Sequence, residues 1–114
     1  MDHELTVEGT NRILLLREKS IDVNNIAEFR DLLEKHATEG AGNIVLGLDG
    51  VDYMGSVALG MISLASIMVD KRGGKFIVVC GKDSILKLFI VSGLYRVIRI
   101  VETLEAARQH VERR

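Results

Sequence analysis

Ser56 is the residue on which chemistry is most readily placed in this chain. An apolar strand, Ile44–Leu48, runs into a short acidic loop, and the serine stands where a buried helix begins, within the stretch Asn43–Gly60. A hydroxyl at a helix N-terminus lies beside backbone N–H groups that have no acceptor inside the helix, and the dipole favours negative charge there. On the residues alone two readings stay open. One is a plain N-cap, a role for which serine is among the preferred types. The other is a phosphoacceptor, whose added charge of about −1.5 to −2 and three acceptor oxygens would change the surface around it. The position reads as a switch more than as a catalytic centre.

A catalytic constellation is hard to assemble from the other residues. His3, His36 and His110 are scattered over the N-terminus, the first helix and the last helix, and none has a neighbour at metal-ligand spacing. Serine hydrolase chemistry needs a nucleophile on a strand-to-helix elbow with a histidine base and an acid. Ser56 has the elbow-like place without the flanking glycine pattern, its second neighbour downstream being Ala58. Gly73-Gly74 precedes a strand instead of opening a helix, so phosphate-cradling loops fail on order as well as spacing. Asp49 loosely fits the phosphoryl-accepting aspartate of two-component receiver domains. The early hairpin, however, offers no adjacent acidic pair, and the chain has no proline. Asp49 and Asp52 are therefore expected to be turn residues bonding local backbone N–H groups. The chain is expected not to be an enzyme and to need no cofactor or metal.

Bulk composition narrows the classes further. The 114 residues suit one domain, 1–114, with 47% hydrophobic and 27% charged residues. Fifteen basic residues against sixteen acidic leave a net charge of −1, which gives no general attraction to nucleic acid or anionic lipid. Aromatic content of 4%, without tryptophan, argues against a base-stacking platform. One cysteine, Cys80, excludes an internal disulfide and reads as a small buried hydrophobe. The N-terminal run is acidic and polar, without a signal-peptide pattern, and the longest apolar stretch, Val57–Val69, is shorter than a membrane span. A cytoplasmic location is expected.

The elements that must position Ser56 follow from periodicity. Leu5–Glu8 and Arg12–Arg17 read as strands of a hairpin closed by Gly9-Thr10-Asn11. Asn24 or Asn25 can cap a helix with Ile26, Phe29, Leu33 and His36 at helical spacing, His36 at the edge of the core. Ile44–Leu48 is apolar throughout, as in a strand covered on both faces. The second helix runs from near Ser56 to Gly73-Gly74 and is apolar nearly all round, so it is sandwiched or offers a second face to a partner. Phe76–Cys80 is a strand, Asp83 or Ser84 caps a third helix, Val97–Val101 is a last strand, and Leu104, Ala107 and Val111 stripe a final helix. The expected class is α/β: an N-terminal β-hairpin, then βα units around a mostly parallel five-stranded sheet.

Taken together these segments resemble the STAS domain, the anti-sigma factor antagonist family, from about Leu5 to Ala107. Lys19-Ser20-Ile21-Asp22 matches the family's Gly-x-Leu/Ile-Asp segment with lysine in the glycine position. Leu48-Asp49-Gly50-Val51-Asp52-Tyr53-Met54 matches its strand and loop, and Gly55-Ser56-Val57-Ala58-Leu59-Gly60 stands at its hallmark Asp-Ser-Ser/Thr-Gly-Leu-Gly. Leu88–Leu94 and Thr103–Ala107 match its later helices. Gly55, Val57 and Ala58 depart from the hallmark, which has an aspartate, a second hydroxyl and a glycine there.

The resemblance implies binding of an anti-sigma factor, a serine kinase of the histidine-kinase-like ATPase type, with release when the kinase phosphorylates a serine at the start of the second helix and resetting by a phosphatase. Ser56 maps to the phosphoacceptor. Asp22, Tyr53, Met54, Gly55, Ser56, Val57 and Gly60 map to the partner-binding surface, with Met54 and Val57 as apolar docking groups. No nucleic acid and no membrane insertion are expected, and the apolar second helix leaves a homodimer open. A non-phosphorylated scaffold or adaptor of a sensory or lipid-transport assembly is the alternative.

Overall fold

The computed structural model describes residues 1–40 and 42–112. Two strands, β1 (His3–Glu8) and β2 (Asn11–Leu16), form the antiparallel hairpin; Gly9, at φ 63°, supplies the left-handed backbone the turn needs. After a two-residue strand β3 (Ser20–Ile21) come α1 (Ile26–Glu39), β4 (Asn43–Gly47), a second two-residue strand β5 (Tyr53–Met54) and α2 (Ser56–Lys71). The chain continues through β6 (Phe76–Val79), α3 (Asp83–Val91), a 3-10 turn (Leu94–Arg96), β7 (Arg99–Val101) and α4 (Leu104–Glu112).

The main sheet has the order β1-β2-β4-β6-β7, parallel except for the hairpin, so β4 is central. Alternation along its strands explains why β4 and β6 carry no polar residues apart from Asn43 at the start of β4. Leu14, Ile44, Leu46 and Val78 point into a large core shared with Phe29 and Leu33 of α1, Ile62 and Val69 of α2, and Phe89 of α3. Ile13, Val45, Ile77 and Val79 point the other way and are covered by Ala107 with Leu104 and Val111 of α4. A sheet buried on both faces selects apolar side chains at every position. The expected α/β class and mostly parallel five-stranded sheet are what the structure has.

Helix starts differ from expectation: Lys82, not Asp83 or Ser84, is the N-cap residue of α3, because the helix takes in Asp83 as its first residue. Asn25 is the N-cap residue of α1, yet its side chain makes no capping bond. Its amide instead accepts from the Asp22 N–H at 2.9 Å and donates to the Ser20 carbonyl at 2.8 Å. The α2 end is as expected: Gly73 (φ 84°) donates to Asp70 and Gly74 donates to Val69, each at 2.9 Å, the two-bond pattern that closes a helix on a left-handed glycine. The last strand is shorter than expected, because the 3-10 turn draws Val97 and Ile98 back onto the Leu94 carbonyl at 3.0 and 2.9 Å. Among the described residues no helix is long and apolar enough to cross a membrane.

His36 lies in the core of α1 at 4% exposure, and Arg12 Nη1 donates to its Nδ1 at 2.9 Å. Burial first, then the charges of Arg12 and Lys35, hold its pKa below the usual value. Cys80 is buried, which pushes its thiol pKa up.

Candidate functional site

A two-stranded ribbon separate from the main sheet presents Ser56. β3 and β5 run parallel, Ser20 beside Tyr53 and Ile21 beside Met54. Ile21 and Met54 are sunk into the core and pin the ribbon, while Tyr53 turns outward at 57% exposure. The Gly55 N–H donates to the Ile21 carbonyl at 3.1 Å, extending the ribbon by one bond, and the Gly55 carbonyl accepts the Leu59 N–H at 3.3 Å. Gly55 is therefore the N-cap, with extended backbone (φ −78°, ψ 165°), and Ser56 is the first helical residue. The capping position considered for the serine is thus taken by Gly55. Ser56 is exposed, and its hydroxyl has no partner among the described residues. The N–H groups of the first turn beside it have no acceptor within the helix.

Asp22 follows β3 as Gly55 follows β5, so the pairing register sets it beside the start of α2. Its carboxylate accepts the Asn24 N–H at 2.9 Å and the Ser20 hydroxyl at 2.8 Å. The Asn24 backbone bond, then the Ser20 hydroxyl, lower its pKa, so it stands as a fixed negative charge. That Ser20 and Asn25 hold Asp22 in place was not read from the sequence, where Asn25 is a candidate cap and Ser20 has no role. The spacing Ser-x-Asp-x-x-Asn is the signal that could have found them. Val23, next to Asp22, is 89% exposed and adds an apolar group to this end of the molecule.

The acidic pair is corrected by the structure. Asp49 does not bond its own loop: its Oδ1 accepts the Gly81 N–H at 2.8 Å, from the segment after β6. Asp52 pairs with Lys82 of that same segment, whose hydrogen bond, more than its charge, lowers the Asp52 pKa. β4 and β6 are neighbouring parallel strands, so the loops leaving their carboxyl ends lie side by side, and the two aspartates tie them together. Lys82 was missed because its partner is thirty residues away.

Met54 is also corrected. At 2% exposure its side chain belongs to the core and is not available to dock a partner. Strand alternation is the reason: Tyr53 points out, so Met54 points in. Val57 at 61% exposure, Gly60 and Ser56 are exposed, and Gly55 is half-buried. The surface around Ser56 is thus made of Tyr53, Val57 and Gly60, with Asp22 and Val23 on the ribbon side. Among the described residues there is no group of three or more His, Cys, Asp or Glu able to hold a metal ion.

Comparison with known proteins agrees with this architecture. The model of the STAS domain family matches residues 4–107, and this chain belongs to that family. A Thermotoga maritima protein described as a candidate anti-sigma factor antagonist is 23% identical over 103 residues, covering 90% of this chain and 91% of that protein. Among solved structures, an anti-sigma factor antagonist from Mycobacterium paratuberculosis superposes with a TM-score of 0.89 at 18% identity, over 98% of this chain and 94% of that one. The anti-sigma factor antagonist SpoIIAA in its unphosphorylated form superposes with a TM-score of 0.80 at 18% identity, over 97% and 96%. A structure of phosphorylated SpoIIAA, from Bacillus, shares the fold with a TM-score of 0.72 at 18% identity, over 96% and 99%.

Proposed function

We propose that this chain is an anti-sigma factor antagonist acting in the cytoplasm by binding, with no catalysis of its own. It docks an anti-sigma factor, a serine kinase of the histidine-kinase-like ATPase type, on the surface formed by Asp22, Tyr53, Gly55, Ser56, Val57 and Gly60. Phosphorylation of Ser56 by that kinase releases the complex, and a phosphatase restores the binding form. The observation that carries this reading is the Ser56 hydroxyl itself: exposed, without a partner, and at the first residue of a helix.

The chemistry fits the place. A phosphate on Ser56 meets the free N–H groups of the first turn and the positive end of the α2 dipole, so the modified helix is not destabilised. Its effect falls on the docked pair. A partner surface shaped for Tyr53 and Val57 would have to desolvate a dianion beside the fixed charge of Asp22. An uncompensated buried charge costs several kcal/mol, and about 1.4 kcal/mol is tenfold in affinity. That is enough to dissolve a micromolar complex.

Incubation with the cognate kinase and ATP, read by intact mass, tests the reading: one added phosphate on the native chain and none on Ser56→Ala. A second reading, a STAS adaptor that is never phosphorylated, is favoured by Gly55, which leaves the first turn of α2 without an acidic residue. No mass increase on the native chain, with an active kinase confirmed on another substrate, would select the adaptor.

A further inference from the structure

Apart from the Ser56 surface, much of the exposed apolar area gathers in one place. Ile67 of α2, Ile90 of α3, Tyr95 of the 3-10 turn and Val97 after it are all exposed, and all four line a single groove of about 1170 Å³. The groove follows the open edge of the main sheet. β7 ends the strand order, so one row of its backbone N–H and C=O groups has no strand to pair with. Every residue from Ile98 to Glu102 lines the groove, which therefore wraps both faces of that edge. Ser56 takes no part in it.

The charge along this edge is one-sided. From Leu94 to Val101 the only charged residues are Arg96 and Arg99. Lys71, at the end of α2, lines the same groove, against the acids Asp70 and Glu102. Neither Arg99 nor Lys71 has a hydrogen bond or ion pair among the described residues. Arg99 pairs with Ile77, which faces α4, and Ile100 pairs with Val78, which faces the larger core. The edge thus presents a cation on one face and apolar groups on the other.

We propose that β7 accepts an extended, acidic and apolar segment of a partner protein as a sixth strand. Backbone bonds to β7 hold the segment. Its side chains alternate, acidic ones meeting Arg99 on the α4 face and apolar ones entering the groove beside Ile67, Ile90 and Tyr95. A second copy of this chain is a poor occupant, since Arg99 is the only charged residue of β7 and pairing two such strands leaves both arginines without an acidic match. This binding site is independent of the Ser56 switch.

The test is a nitrogen-15 NMR titration of the full chain with two synthetic peptides of equal length, one alternating glutamate with valine and one alternating lysine with valine. The Val101 carbonyl accepts the Cys80 N–H and so faces β6, which leaves the Ile100 N–H and C=O on the open edge. The glutamate peptide is expected to shift the amides of Ile98–Val101, protect the Ile100 amide from hydrogen exchange and bind at least tenfold more tightly than the lysine peptide. Arg99→Glu, at an exposed position, should reverse that order, and Ser56→Asp should leave it unchanged. Three results would overturn the proposal: no shift at β7 with either peptide at millimolar concentration, equal affinity for the two peptides, or a concentration-dependent homodimer already occupying β7 without peptide. The first would leave Arg99 as a guard against edge-to-edge aggregation only.

Discussion

The Gly55 N–H donates to the Ile21 carbonyl at 3.1 Å, and this one bond fixes where α2 begins. It extends the β3–β5 ribbon past Met54, holds Gly55 in extended backbone and leaves Ser56 as the first helical residue, outside any capping interaction. The ribbon is anchored from below by Ile21 and Met54 and carries Tyr53 and Asp22 toward solvent. Anchoring and presentation are therefore divided between adjacent residues, and the two roles respond differently to substitution.

Met54→Ala and Tyr53→Ala separate them. Met54→Ala opens a cavity in the core and should lower unfolding free energy by about 2–5 kcal/mol. Tyr53→Ala removes an exposed ring and should leave stability within roughly 0.5 kcal/mol. It should nonetheless weaken the proposed anti-sigma factor binding by about fivefold or more, since tyrosine is enriched among the interface residues whose truncation costs more than about 1 kcal/mol. Urea melts and a binding titration on both variants measure the two effects.

Lys82→Ala probes the tie between the loops. The Asp52–Lys82 pair lies at the surface, where solvent screens it, so its loss should change overall stability little. Asp52 should show the change more clearly, its pKa rising back toward the ordinary carboxylate value, as read by carbon-13 NMR of the side chain. Because Lys82 lowers that pKa in the folded state, the pair's stabilisation is present above the unfolded value of 3.8 and is lost as the pH falls through the folded one. Lys82→Ala should flatten the stability profile below pH 4.

His36 gives a second pH dependence in a different range. Its folded pKa lies below the usual 6.5, so below that pH unfolded chains take up a proton that folded chains do not. Stability should be highest above pH 6.5 and decline as the pH falls from there toward the folded value. His36→Gln, which can still accept from Arg12, should reduce the slope just below pH 6.5 in denaturation experiments at stepped pH.

Much of the architecture can be read from residue order. The hairpin, the all-apolar runs that became β4 and β6, the glycine stop of α2 and the Leu104–Ala107–Val111 stripe each announce themselves by local pattern. The ribbon does not, because two residues per strand carry no periodicity, and Asp49–Met54 reads as a loop. Asn25 has the right type for a cap, but Asp22 and Ser20 compete for its amide. Asp49 and Asp52 look like turn residues because their partners, Gly81 and Lys82, come from the far side of a crossover. Ser56 was legible as an exposed hydroxyl at a helix start, whereas the outward Tyr53 and the inward Met54 could be told apart only once the ribbon was seen.

Affinity for the anti-sigma factor kinase, measured by calorimetry with the native chain, Ser56→Ala and Ser56→Asp, bears most directly on the proposed switch. Ser56→Ala should bind within about twofold of the native chain, and Ser56→Asp should bind at least tenfold more weakly, with all three chains equally folded. Equal affinities for the alanine and aspartate variants would contradict the account.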